Sequence, residues 1–61
     1  MPHNTEKSAF RRGEYVIYGT YNARYRARRI SRNCWEAVNT VTGHTHTARR
    51  LRDLAEWADQ S

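Results

Sequence analysis

Apolar and polar positions alternate with a period of two over much of residues 14–47. Glu14 to Thr20, EYVIYGT, is dense in β-branched and aromatic side chains and predicts a strand. Tyr15 and Ile17 fall on one face and Val16 and Tyr18 on the other, so the strand is expected to lie centrally in its sheet. Gly19 to Asn22 supplies turn chemistry, with Gly19 free to take positive φ and Asn22 tolerant of it. Ala23 to Ile30 predicts a second strand, with Ala23, Tyr25 and Ala27 on one face and Arg24, Arg26 and Arg28 on the other. The alternation slips at Arg28-Arg29-Ile30, which predicts a bulge or the strand's end. A helical reading scatters these arginines around the cylinder, although an arginine-rich helix that folds on RNA is a second reading.

Ser31-Arg32-Asn33 is a turn, and Cys34 to Val41 alternates again, with Trp35, Ala37, Asn39 and Val41 on one side. Thr42-Gly43 signals a tight hairpin, and His44 to Thr47 returns as a fourth strand, giving an antiparallel meander. From Ala48 the period changes. Leu51, Leu54, Ala55 and Ala58 are spaced by three and four, the stripe of an amphipathic helix over about 50–59 with Thr47 as its N-cap. Arg49, Arg50 and Arg52 lie early and Glu56 and Asp59 late, against the helix dipole. The same residues also allow Ala48 to Leu51 to continue the strand, with the helix starting near Asp53. Met1 to Ser8 is polar and without period, a disordered lead-in to a single domain over 9–61 whose first apolar anchor is Phe10. The expected core is Val16, Ile17, Ala27, Trp35, Ala37, Val41, Leu51 and Leu54, with Trp57 closing it or lying in a dimer interface.

An aromatic lead-in, then RGEYVIY, a turn, a basic strand, a hairpin and a short closing element resembles the layout of SH3-like small barrels. Phe10 to Val16 is similar to the glycine-led opening strand of KOW, Tudor and integrase C-terminal barrels. Ala48 to Leu54 (ARRLRDL) resembles the last strand of the integrase domains, and the helix beyond departs from that pattern. The resemblance implies a mostly β fold, a small antiparallel barrel of about four to five strands with a short C-terminal helix. The arginines of the last element would then close the barrel beside the first strand.

At 61 residues the chain makes one domain at most and buries roughly 60% of its unfolded surface, so a second copy completing the core, a homodimer, stays open. No apolar run is long enough for a membrane span or a secretory signal, and the lone Cys34 forms no internal disulfide. A soluble, cytoplasmic protein without membrane partners is expected, nucleoid-associated if it binds DNA. Charge sharpens the picture. The net charge is +5, with ten arginines against a single lysine, and every arginine lies between Arg11 and Arg52. The guanidinium fork matches phosphates and guanine edges and stacks on aromatic rings, so nucleic acid is the favoured partner.

Catalytic chemistry finds little footing: no paired carboxylates on one face, no G-x-S-x-G and no phosphate-cradling glycine loop. Cys34 with His44 or His46 is the one nucleophile–base pair on offer, and a structural cysteine is the plainer reading. His44-x-His46 with Cys34 or His3 is a weak zinc signal beside two surface histidines, so neither metal nor cofactor is expected. The expected function is non-catalytic nucleic-acid binding, DNA over RNA and duplex DNA in particular, through backbone phosphates. Arg24, Arg26, Arg28 and Arg29 would carry most of the affinity, with Arg32, Arg49, Arg50 and Arg52 extending the patch and Tyr21 available for stacking. The competing class is a protein-binding module that uses an aromatic cluster of Tyr15, Tyr18, Tyr21 and Trp35. A variant of it is a phage or mobile-element effector docking on an acidic or peptide surface of a host protein.

Overall fold

The structure, a computed structural model, describes residues 4–9 and 11–60. Five strands form one antiparallel sheet in the order of the chain: β1 (Thr5–Lys7), β2 (Glu14–Tyr18), β3 (Arg24–Ser31), β4 (Cys34–Asn39) and β5 (Thr45–Ala48). One helix, α1 (Leu51–Gln60), then crosses a single face of the sheet. The mostly β class, the meander and the closing helix are as the period predicts, and β2 is interior. The sheet does not close into a barrel. β5 pairs with β4 alone and β1 with β2 alone, so both remain edges and the last arginines do not reach the first strand. Among the described residues no helix is long and apolar enough to cross a membrane.

Alternation decides which side chains meet the helix. The covered face carries Tyr15 and Ile17, Tyr25 and Ala27, Trp35 and Ala37; Tyr15, Ala27 and Ala37 stand in register across β2, β3 and β4, as do Ile17 and Tyr25 across β2 and β3. Ile17, Tyr25, Ala27 and Ala37 are buried against Leu54, Ala55 and Ala58 of α1. Ile17 and Leu54 are fully enclosed, and each contributes about 1.5–3 kcal/mol relative to an exposed side chain. The alanines let the helix approach closely. Trp57 packs inside this unit, edge-on to Tyr25 with centroids 5.0 Å apart and stacked on His46 at 4.1 Å.

Several expectations are corrected. Thr5–Lys7 of the supposed lead-in is a strand, and Asn4 before it is buried; Met1 to His3 and Phe10, the anchor, lie outside the described residues. Val16 points to the uncovered face, because β2 is apolar on both sides and the helix covers only one. Val41 is 89% exposed in the β4–β5 loop, since β4 ends at Asn39. That loop is no two-residue hairpin: Asn39 Oδ1 accepts the amides of Val41 and Thr42 at 2.8 and 3.0 Å, and Gly43 takes a φ of +80°. Gly19 keeps a negative φ of −103°, and its role is close packing: a Cβ there would stand 3.0 Å from both the Ala58 carbonyl oxygen and Tyr25 Cε1. Asn22 does take positive φ, as its tolerance allows, and Tyr21 takes it too. Thr47 is inside β5 and caps nothing; the Arg50 carbonyl accepts the first helical amides, Asp53 at 3.1 Å and Leu54 at 3.3 Å. The strand stops at Ala48, the first residue of ARRLRDL, and Leu51 to Leu54 of that stretch are helix. The slip predicted at Arg29 is present as a register shift between Arg29 and Ser31 that leaves Ile30 half exposed.

Candidate nucleic-acid interface

The face of the sheet away from α1 is built by the even-numbered positions of β1 to β4 and by Thr45 and Thr47 of β5, in three rows. Tyr18 stands beside Arg24; Glu6, Val16, Arg26, Val38 and Thr45 form the middle row; Glu14, Arg28, Glu36 and Thr47 form the third. Arg24, Arg26 and Arg28 are therefore neighbours along β3, about 6.6–6.8 Å apart, all exposed. Alternation alone brings them together.

Their surroundings differ. The Arg24 guanidinium lies 5.9 Å from the Tyr18 ring centroid, and the Tyr18 hydroxyl donates to Glu6 Oε2 at 3.1 Å. Arg26 Nη2 donates to Glu14 Oε1 at 3.3 Å, and Arg11 Nη1 stands 3.9 Å from the other oxygen of that carboxylate. Arg28 Nε lies 3.5 Å from Glu36 Oε1. In each pair the carboxylate is the more covered partner, 18–23% exposed against 51–64% for the arginines, so the guanidinium groups keep donors toward solvent. Pairs this exposed contribute about 0.2–1 kcal/mol each to stability. A groove of about 520 Å³ runs beside them, bounded by Val16, Tyr18, Arg24 and Arg26 on the sheet and by Lys7 to Ala9 and Arg11 on the other wall.

The remaining candidates are elsewhere. Arg29 sits on the helix side of β3, in register with Trp35, and its guanidinium donates to the Ser31 and Arg32 carbonyls at 3.2 and 3.3 Å. Arg32 is in the β3–β4 turn, Arg49 and Arg50 link β5 to α1, and Arg52 is on the first turn of the helix; all are exposed. These five gather at one end of the sheet. Tyr21 is 99% exposed in a single 3-10 turn over Thr20–Asn22 at the other end, apart from them. Arg11, outside the predicted set, joins the face through Glu14, three residues further along the chain.

The aromatic cluster expected of a protein-binding module is not assembled. Tyr15 and Trp35 meet edge-on, centroids 5.9 Å apart, on the helix side, whereas Tyr18 is on the opposite face and Tyr21 at the far turn. Cys34 and His46 lie on opposite faces of the sheet, and His46 is taken up by its stack on Trp57. Among the described residues no group of three His, Cys, Asp or Glu is placed to hold a metal ion; His3 lies outside them. No family model matches the chain, and neither curated proteins nor solved structures include a significant match to it.

Proposed function

We propose that the protein binds nucleic acid, duplex DNA in particular, without catalysis and chiefly through backbone phosphates. The observation that carries this reading is the exposure of arginines in two groups, Arg24, Arg26 and Arg28 on the sheet face that the helix leaves bare and Arg29, Arg32, Arg49, Arg50 and Arg52 at one end of the sheet. A polyanion releases condensed counterions as arginines replace them, and this favours a rigid array of guanidinium groups over scattered ones. The excess of arginine over lysine supports phosphate and base-edge contacts over a merely solubilising charge. The glycine before β2 and the alternation after it support reading the sheet as an opened relative of SH3-like barrels, and a nucleoid location follows if DNA is the partner.

A second reading, a peptide-binding module on a host protein, is favoured by one observation. The groove beside Tyr18 presents both signs of charge, Glu6 and Arg24, around the apolar Val16. The test is a fluorescence-anisotropy titration with labelled duplex DNA, single-stranded DNA and duplex RNA at several salt concentrations. Micromolar or tighter binding that falls log-linearly with salt is expected, with duplex DNA preferred. Absence of binding to all three at low salt refutes nucleic acid and leaves the peptide reading.

A further inference from the structure

A meander sends its connections alternately to the two ends of the sheet. The β1–β2 turn, the β3–β4 turn and the β5–α1 link share one end, beyond the row Glu14–Arg28–Glu36–Thr47. The first of these connections carries Arg11 and Arg12, and the second carries Arg32, with Arg29 at its base. The third carries Arg49 and Arg50 and leads to Arg52. Seven of the ten arginines, far apart in sequence, thus occupy one pole. The other end holds the Thr20–Asn22 turn and the 40–44 loop, neither with an arginine. The helix runs away from the basic pole, for Ala58 lies against Gly19 at the opposite end, and it carries Glu56 and Asp59 with it.

Pairing divides the arginines further. Arg26 and Arg28 are engaged by Glu14 and Glu36, and Arg11 shares Glu14. Among the described residues no carboxylate stands within ion-pair distance of Arg12, Arg29, Arg32, Arg49, Arg50 or Arg52. From β2 to β5 the pole spans three strand spacings, about 14 Å, comparable with the roughly 12 Å between the phosphate walls of a major groove.

Building on the nucleic-acid reading, we infer that duplex DNA is contacted end-on, by phosphates on both sides of a groove meeting the three arginine-bearing connections. The open sheet face, where Arg26 and Arg28 are paired with Glu14 and Glu36, is the lesser phosphate contact. The test compares salt slopes of duplex binding for three folded variants, each checked by circular dichroism and melting. R12Q/R32Q/R49Q removes one cation from each connection and lowers the log–log slope by about 2.7, at roughly 0.9 per phosphate. Between 50 and 200 mM salt the wild type then loses about 40-fold more affinity than this variant. E14Q/R26Q/R28Q/E36Q keeps the net charge while erasing the pairs, and R24Q removes one charge from the sheet face; each lowers the slope by less than about one unit, against about 2.7 for the triple variant. A triple variant with the wild-type slope, or a quadruple variant whose slope falls by two or more, overturns end-on contact while leaving nucleic-acid binding standing. A wild-type protein that binds no duplex at low salt overturns both.

Discussion

Replacing Asn4 tests how the N-terminal strand is held. Asn4 is 8% exposed, and its Nδ2 donates to the Tyr18 carbonyl at 2.9 Å and to the Ala55 carbonyl at 3.0 Å. Its own carbonyl accepts the Tyr18 amide at 2.8 Å. Both side-chain partners are acceptors, so only the amide nitrogen can serve them. Asn4→Ala removes two hydrogen bonds worth about 0.5–1.5 kcal/mol each, a loss of about 1–3 kcal/mol. A chain of 61 residues has roughly 3–9 kcal/mol of stability in total, so the loss is a large fraction of it. Asn4→Asp is worse at neutral pH, because it sets a carboxylate against two carbonyl oxygens in a nearly dry site. Protonated, the new carboxyl donates one bond; ionised, it donates none, so its folded pKa lies above the ordinary value of about 3.9. The folded state then binds more protons than the unfolded one. Stability relative to Asn4→Ala is therefore retained below about pH 4 and lost as pH rises, by about 1.4 kcal/mol per unit, levelling off above the raised pKa. Urea melts of the wild type and both variants from pH 3.5 to 8 measure this. If the two variants are equally stable across that range, the amide does not bridge β2 and α1 as described.

Leu54→Ala, at a fully enclosed position, is expected to cost about 2–5 kcal/mol in a urea melt and to leave the chain close to unfolded at 37 °C. Gly19→Ala keeps an accessible backbone conformation but forces a methyl against Ala58 and Tyr25; it should cost about 1–3 kcal/mol and displace α1, seen as a change in Trp57 fluorescence. Val41→Ser should change stability by less than about 0.5 kcal/mol, because the side chain is almost wholly in solvent.

Which features were legible in the sequence follows from where the information lies. Strand identity is local, so the alternation over 14–18, 24–31 and 34–39 and the slip at Arg29 were all readable. The choice of covered face is not local. Val16 and Ile17 are equally apolar neighbours, and only the docking of Leu54 and Ala55 on one side of β2 makes Ile17 core and leaves Val16 outside. β1 was invisible because Thr5, Glu6 and Lys7 have no apolar pattern; backbone pairing with β2 and the Asn4 side chain hold it. Of the candidate site, the row Arg24–Arg26–Arg28 was legible as a period of two. Its pairing with Glu14 and Glu36 was not, since those contacts need the register of β2 and β4 against β3. The gathering of arginines at one pole needs the strand order as well.

The order of strands also bears on how the chain reaches its fold. Each strand pairs with its sequence neighbour, so the sheet grows by closing short loops, each at small entropic cost. A closed barrel must also join its first and last strands across most of the chain, a slow search that this sheet avoids. The long-range steps that remain are the docking of α1 onto β2 and the Asn4–Ala55 bond across 51 residues. Both come naturally after the hairpins. Asn4→Ala should therefore speed unfolding while leaving the refolding rate nearly unchanged in stopped-flow experiments. The N-terminal strand thus acts on how long the folded molecule lasts more than on how fast it forms.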